Sequence, residues 1–176
     1  VRALTDGQVL LDSALFRAGT RPALDLRASV WQAGGRCQAP ALKWLLWFIK
    51  LDLGQLYELE QFRRLGTELD RATQALVDRG ERILKVLEQP AGRPLALGDE
   101  VVGLYAGLRG YLDRVPLDQV SACERRLVSD VRARHPDLAR ELDSPVRLSE
   151  GTKEALGRAL TAALAWEAAR TPQSGG

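Results

Sequence analysis

A loop that grips phosphate needs glycines at set spacing, so that backbone amides surround the oxygens, followed by a Lys and a Ser or Thr. The nearest glycine cluster in this 176-residue sequence is Gly34-Gly35-Arg36, and no Gly-Lys-Ser follows it. It reads as a turn before a helix that opens at Pro40. The chain alone is therefore expected to hydrolyse no nucleoside triphosphate. Cys37 and Cys123 lie far apart, and neither has a Cys or His at metal-ligand spacing. No metal site is expected, and two thiols make no disulfide framework, so a reducing compartment or inert thiols follow. His135, the one histidine, precedes Pro136 with no Ser or Cys nucleophile placed beside it, and reads as a solvated side chain near a helix end. Arg21 before Pro22 reads, on its own, as a loop arginine.

The elements that would hold these groups change character along the sequence. Residues 1–35 are rich in Gly, Asp and branched apolar residues, with Gln8-Val9-Leu10-Leu11 and Ala23-Leu24-Asp25-Leu26 as short strand candidates and one or two helical turns over Ser13 to Ala18. Such a piece is too small to close a sheet, so its strand edges are expected to pair outside the chain. From Pro40 the pattern is helical. Apolar residues at Leu69, Leu76, Ile83 and Leu87, at Val101, Tyr105, Leu108 and Leu112, and at Val120, Cys123, Leu127 and Val131 draw helix stripes. Gln89-Pro90-Ala91-Gly92-Arg93-Pro94, Val115-Pro116 and His135-Pro136 interrupt them. Ser149 reads as the N-cap of a last helix through Leu156, Leu160 and Leu164 to Trp166, and residues 171–176 as a flexible tail.

Composition narrows the function classes. A 45% hydrophobic content in this length supports one sizeable core. The formal charge of +2 arises from 25 basic and 23 acidic residues without a sustained basic run, which argues against nucleic-acid binding. The longest fully apolar run, Trp44 to Ile49, falls far short of the roughly 20 residues of a membrane span. Six apolar residues in a row face every side of a helix, so at least one side must meet a deepened core or a partner. With no Met and Val1 at its start, the chain is expected to be a cleaved, split or partial product of something longer.

Short signatures then recur in order. Thr5-Asp6-Gly7-Gln8, Leu11-Asp12, Leu15-Phe16 and Gly19-Thr20-Arg21-Pro22-Ala23 come first. Leu51-Asp52-Leu53, Tyr57-Glu58-Leu59, Gly66-Thr67-Glu68-Leu69-Asp70, Ala72-Thr73-Gln74, Arg79-Gly80, Tyr105-Ala106-Gly107, Gly110-Tyr111-Leu112-Asp113 and His135-Pro136 follow. The series resembles the last third of the F-type ATP synthase alpha subunit, and resembles the catalytic beta subunit much less.

That resemblance implies a mainly α fold: residues 1–35 as the strand-bearing end of an α/β nucleotide-binding domain, residues 36–170 as a C-terminal helical bundle of five to seven helices. It implies a structural and regulatory part of a rotary, proton-translocating ATPase head, peripheral on a mitochondrial inner or bacterial plasma membrane. The implied partners are the rest of the alpha subunit, beta subunits that carry catalysis, and the central stalk gamma subunit. ATP or ADP with Mg would be held by the full subunit and not turned over there, with Phe16, Arg21 and Gln89 near the adenine. The family's second glutamine falls at Ala91, which has no polar edge. The family's Ser-Val-Ser-Arg, whose arginine reaches a neighbouring beta site, stands here as Ser29-Val30-Trp31-Gln32. Such a finger is worth on the order of 10³ or more in rate in phosphoryl transfer, and glutamine carries no charge. Arg27 or Arg36 could bend in as a substitute, or this copy no longer assists catalysis. Glu68 and Asp70 fall in a loop that in the family lies near the stalk, and would equally serve a helix start, where negative charge complements the dipole. Trp44 and Trp47 depart from the family's small and polar residues and are candidate partner contacts. The alternatives are a degenerate or split alpha-like scaffold without transition-state assistance, and a stand-alone helical interaction domain.

Overall fold

The structure, a computed structural model, describes residues 7–26, 28–31, 37–66, 68–89 and 92–170. The glycine cluster at residues 34–36 and the tail at 171–176 lie outside the described residues.

The N-terminal segment pairs with itself. Strand β1 (Gly7–Gln8) runs antiparallel to β2 (Val30–Trp31), with Gly7 opposite Trp31 and Gln8 opposite Val30. The two candidate strands meet through a bridge between Leu11 and Leu24, where the Asp12 amide donates to the Ala23 carbonyl at 2.9 Å and the Asp25 amide to the Leu10 carbonyl at 2.8 Å. This corrects the expectation that they pair only outside the chain: a hairpin-like return satisfies these groups locally. The intervening helix α1 (Ser13–Arg17) is short because it has a cap but no buried face; Asp12 accepts from the Ala14 amide at 2.5 Å.

The helical part follows its punctuation. Helix α2 (Pro40–Arg64) begins on a proline that needs no amide partner in the first turn. Helix α3 (Arg71–Val86) is capped by Asp70, α4 spans Leu97–Leu108, and a single 3-10 turn at Leu117–Gln119 leads into α5 (Val120–Arg134). His135-Pro136 separates α5 from α6 (Pro136–Leu142), and α7 (Glu150–Arg170) starts where Ser149 Oγ accepts the Thr152 amide at 3.0 Å.

Helix α4 is the centre: all seven residues from Val101 to Gly107 are buried, and it packs against α2, α3, α5 and α6. Around it lie Leu45, Ile49 and Leu56 of α2, Ile83 of α3, Leu127 and Val131 of α5, and Leu156 and Leu160 of α7. Burying one such side chain is worth about 2 kcal/mol, so this layer dominates the stability. The predicted stripes on α4, α5 and α7 are the buried ones, with Leu108 and Leu164 at the margin. On α3 the stripe differs: Leu76 is 48% exposed, and the buried line runs Val77, Gly80, Ile83, Val86. One residue turns a helix by about 100°, so Val77 takes the inner place that Leu76 was expected to fill. Gly80 allows α2 and α3 to touch, since a Cβ there would lie 2.9 Å from Leu56 Cδ2.

Candidate functional site

Phe16, Arg21 and Gln89 come together, although about 70 residues separate the last two in sequence. The Arg21 guanidinium carbon lies 3.7 Å from the centroid of the Phe16 ring, and Nη1 donates to the carbonyls of Phe16 at 2.8 Å and Thr20 at 2.9 Å. The loop turns through a cis Arg21-Pro22 peptide. The Gln89 amide donates to the Arg21 carbonyl at 2.9 Å, which ties the end of α3 to this loop. The Gln89 side chain bonds Glu100, whose carboxyl burial pushes above its ordinary range while the Gln89 bond draws it back. Phe16 is 58% exposed. An open aromatic ring backed by a delocalised cation, with an amide nearby, can stack on and hydrogen-bond a flat heteroaromatic group. Ala91, at the position of the family's second glutamine, lies outside the described residues.

Ser29 is buried and its Oγ accepts the Leu10 amide at 3.0 Å, so it works in the hairpin. Gln32, Arg27 and Arg36 lie outside the described residues.

Asp70 accepts the Thr73 amide at 2.7 Å as the N-cap of α3, and that bond holds its carboxyl below the usual range. Glu68 is exposed beside it, and Thr67 lies outside the described residues.

The Trp44 to Ile49 run is divided by the helix period. Leu45 and Ile49 are fully buried, while Trp47 is 64% exposed. Trp44 is half-buried, with Lys153 Nζ 4.4 Å from its ring, and both tryptophans meet Phe48 edge-on at 5.2 and 4.7 Å. Trp44 also lines a cavity of about 360 Å³ with Tyr105, Tyr111, Arg109 and Lys153. The tyrosine hydroxyls there donate to the α7 carbonyls of Lys153 and Gly157, at 3.3 and 3.4 Å. The tyrosines therefore fix α7 to the centre.

Sequence reasoning singled out neither Glu100 nor Glu124. Both sit at a cleft of about 120 Å³ with Gln89, Leu46 and Leu104, and burial pushes the Glu124 carboxyl up to about 7. The signal available was a charged residue beside Cys123 on the buried stripe of α5. Among the described residues no group of three or more His, Cys, Asp or Glu could hold a metal ion, and no helix is long and apolar enough to cross a membrane.

Residues 38–163 match the family described as ATP synthase alpha/beta chain, C terminal domain. The ATP synthase subunit alpha of Lactobacillus delbrueckii subsp. bulgaricus is 43% identical over 153 residues, 87% of this chain and 30% of that protein. The ATP synthase subunit alpha of Lactiplantibacillus plantarum is 42% identical over the same length, with the same coverage. The chain thus spans less than a third of the length of these relatives.

Proposed function

This protein belongs to the family of C-terminal domains of the ATP synthase alpha and beta subunits, and from that membership we propose that it serves as the C-terminal part of an alpha subunit in a proton-translocating rotary ATPase head. Its work there is structural and regulatory. Beta subunits carry the catalytic residues, the remainder of the alpha subunit supplies the residues for phosphate and magnesium, and the head stands peripherally on an energy-transducing membrane. The observation that supports this most is the gathering of Phe16, Arg21 and Gln89 at one exposed place. In this reading the ring and the guanidinium receive the adenine of an ATP or ADP that is not turned over. Residues 1–35 would complete the nucleotide-binding domain, and the bundle would meet the gamma stalk through Glu68 and Asp70 and a neighbouring subunit through Trp47 and Trp44.

The head reconstituted with beta and gamma subunits tests this. Arg21→Ala and Phe16→Ala should each lower nucleotide retained at the alpha site by about tenfold, the size of a lost stacking or charge contact. Unchanged retention in an assembled head would overturn the adenine assignment.

A second reading is favoured by one observation, the neutral Gln32 at the finger position. There the chain scaffolds the head and gives no charge to the transition state. Gln32→Arg, with Trp31→Ser if the indole blocks its path, should then raise turnover at the adjacent beta site more than it changes ATP affinity. No gain with assembly intact would mean that another group supplies the charge or that the interface is not catalytic.

A further inference from the structure

A cleft of about 120 Å³ opens between α2, α3 and α4. Leu42 and Leu46 of α2, Val86 of α3 and Leu104 of α4 form its walls, and Glu124 of α5 stands at its edge. That volume approaches the roughly 150 Å³ of an apolar cavity that holds benzene. Glu124 and Leu95 also line a wider groove of about 640 Å³ on the outer side, which gives the cleft an approach from solvent.

The ionisable groups at the cleft are of one kind. Glu100 bonds the Gln89 side chain, and Glu124 has no hydrogen-bond donor among the described residues. Among those residues no cation lines the cleft. An anionic guest would meet two carboxyls and no lining cation, and a plain hydrocarbon would fill the walls but leave the buried Glu124 carboxyl without a hydrogen-bond partner. We infer that this cleft is a binding site for a small apolar amine, its hydrocarbon body among the leucines and its protonated amino group on the Glu124 carboxylate. The cleft shares Gln89 with the adenine place, but the amine contact at Glu124 requires neither Phe16 and Arg21 nor assembly with other subunits.

Burial pushes Glu124 up to about 7 although Arg125 draws it part of the way back, and a cationic guest in the cleft would add charge compensation to that of Arg125. The walls from α2 and α3 bring no charge to it. Helix α4 presents Asp99 and Glu100, and α5 itself carries Arg125 and Arg132. Arg132 is already held by Asp99 at 2.5 Å and Asp143 at 3.1 Å, and Arg125 only partly offsets the burial of Glu124; Glu100 is the second carboxyl that could report on the same guest.

Amide chemical-shift titration of this 176-residue protein with benzylamine, benzyl alcohol and benzoate tests the site. Benzylamine should saturate the shifts of Gly103, Leu104 and Glu124 with a Kd on the order of 1 mM at pH 8. Benzyl alcohol, of the same shape without charge, should bind at least tenfold more weakly, and benzoate should move nothing. Lowering the pH from 8 to 6 should weaken benzylamine by about tenfold, because the carboxyl then holds its own proton. Glu124→Gln should bring benzylamine down to the level of the alcohol. The assignment is overturned if amine and alcohol bind the natural protein alike, if no saturable shift appears at concentrations about fifty times higher, or if folded Glu124→Gln retains full amine affinity.

Discussion

Replacing Glu124 by glutamine should make this protein more stable at pH 8 and change it little at pH 4. The carboxyl is mostly buried, it has no donor among the described residues, and it titrates at about 7 against an ordinary 4.5. Between those values the folded state keeps a proton that the unfolded protein has already released, so stability falls as pH rises through this window and the loss is complete above about 7. At about 1.4 kcal/mol per pH unit, the gap corresponds to about 3 kcal/mol at pH 8. Glutamine has the same shape and never ionises. The opposite trend from Asp143 and Asp70, whose carboxyls are held low by Arg132 and by the Thr73 amide, is shared by both proteins and cancels in the difference. Urea unfolding followed by far-UV circular dichroism at pH 4, 6 and 8 gives the comparison. The difference between variant and natural protein should be small at pH 4 and grow to about 3 kcal/mol at pH 8. A variant equally or less stable at pH 8 would show that Glu124 finds compensation in solution and refute the reasoning.

Gly80→Ala should destabilise the bundle by about 1–2 kcal/mol, because the added methyl lies 2.9 Å from Leu56 Cδ2 and overpacking outweighs the gain in helix propensity; a rise in the urea midpoint would contradict the close contact of α2 and α3. In a protein with Trp31 and Trp166 replaced by Phe, a water-soluble quencher should reach Trp47 readily and Trp44 much less, since Trp47 is 64% exposed while Trp44 lies under Lys153; adding Trp47→Phe should then remove most of the quenchable emission. Asp70→Ala should fray the start of α3, whereas Asp70→Ser keeps a capping oxygen and should restore the melting temperature. If the serine variant restores stability yet a reconstituted head couples poorly to its stalk, the charge of Asp70 serves the partner as well as the cap.

Much of the bundle was readable because proline and apolar spacing act locally. Gln89-Pro90 and His135-Pro136 lie at helix ends, whereas Val115-Pro116 leads into the 3-10 turn and α4 stops earlier, before Gly110 at positive φ; Ser149 caps α7 as its type predicts. The α3 stripe slipped by one residue because spacing cannot choose between adjacent apolar residues such as Leu76 and Val77; the contact with Leu56 across the helix pair chooses. The hairpin pairing of residues 10–12 with 23–25 was hidden for a similar reason. Short strands announce that they need partners but not where those partners lie, and here Ser29 Oγ and the Leu24 bridge supply them within the segment. At the candidate site, Phe16 and Arg21 lie five residues apart and were singled out by the family resemblance, since Arg21 on its own reads as a loop arginine. That Gln89 joins them is a tertiary fact, set by where α3 ends.

The cleft at Glu124 was invisible to pattern because its cause is a backbone position on another helix. Two carboxylates sit against glycines of α4: a Cβ at Gly98 would lie 2.6 Å from Asp143 Oδ1, and one at Gly103 would lie 2.5 Å from Glu124 Oε1. The steric device is the same, and the electrostatic outcomes are opposite. Gly98 lies in the first turn of α4, where the amide has no partner inside the helix, so it donates to Asp143 at 3.0 Å; the Arg132 guanidinium first, and this amide after it, hold that carboxyl below its ordinary range. Gly103 lies mid-helix, where its amide is committed to the carbonyl one turn back, so the glycine gives Glu124 room without a donor. The same steric contact five residues further along the helix thus lacks both the Arg132 guanidinium and the free amide that satisfy Asp143, and burial prevails at Glu124. Arg125 offsets only part of the cost of burying Glu124, which is why a cationic guest, rather than a neutral one, should distinguish this cleft from an ordinary packing gap.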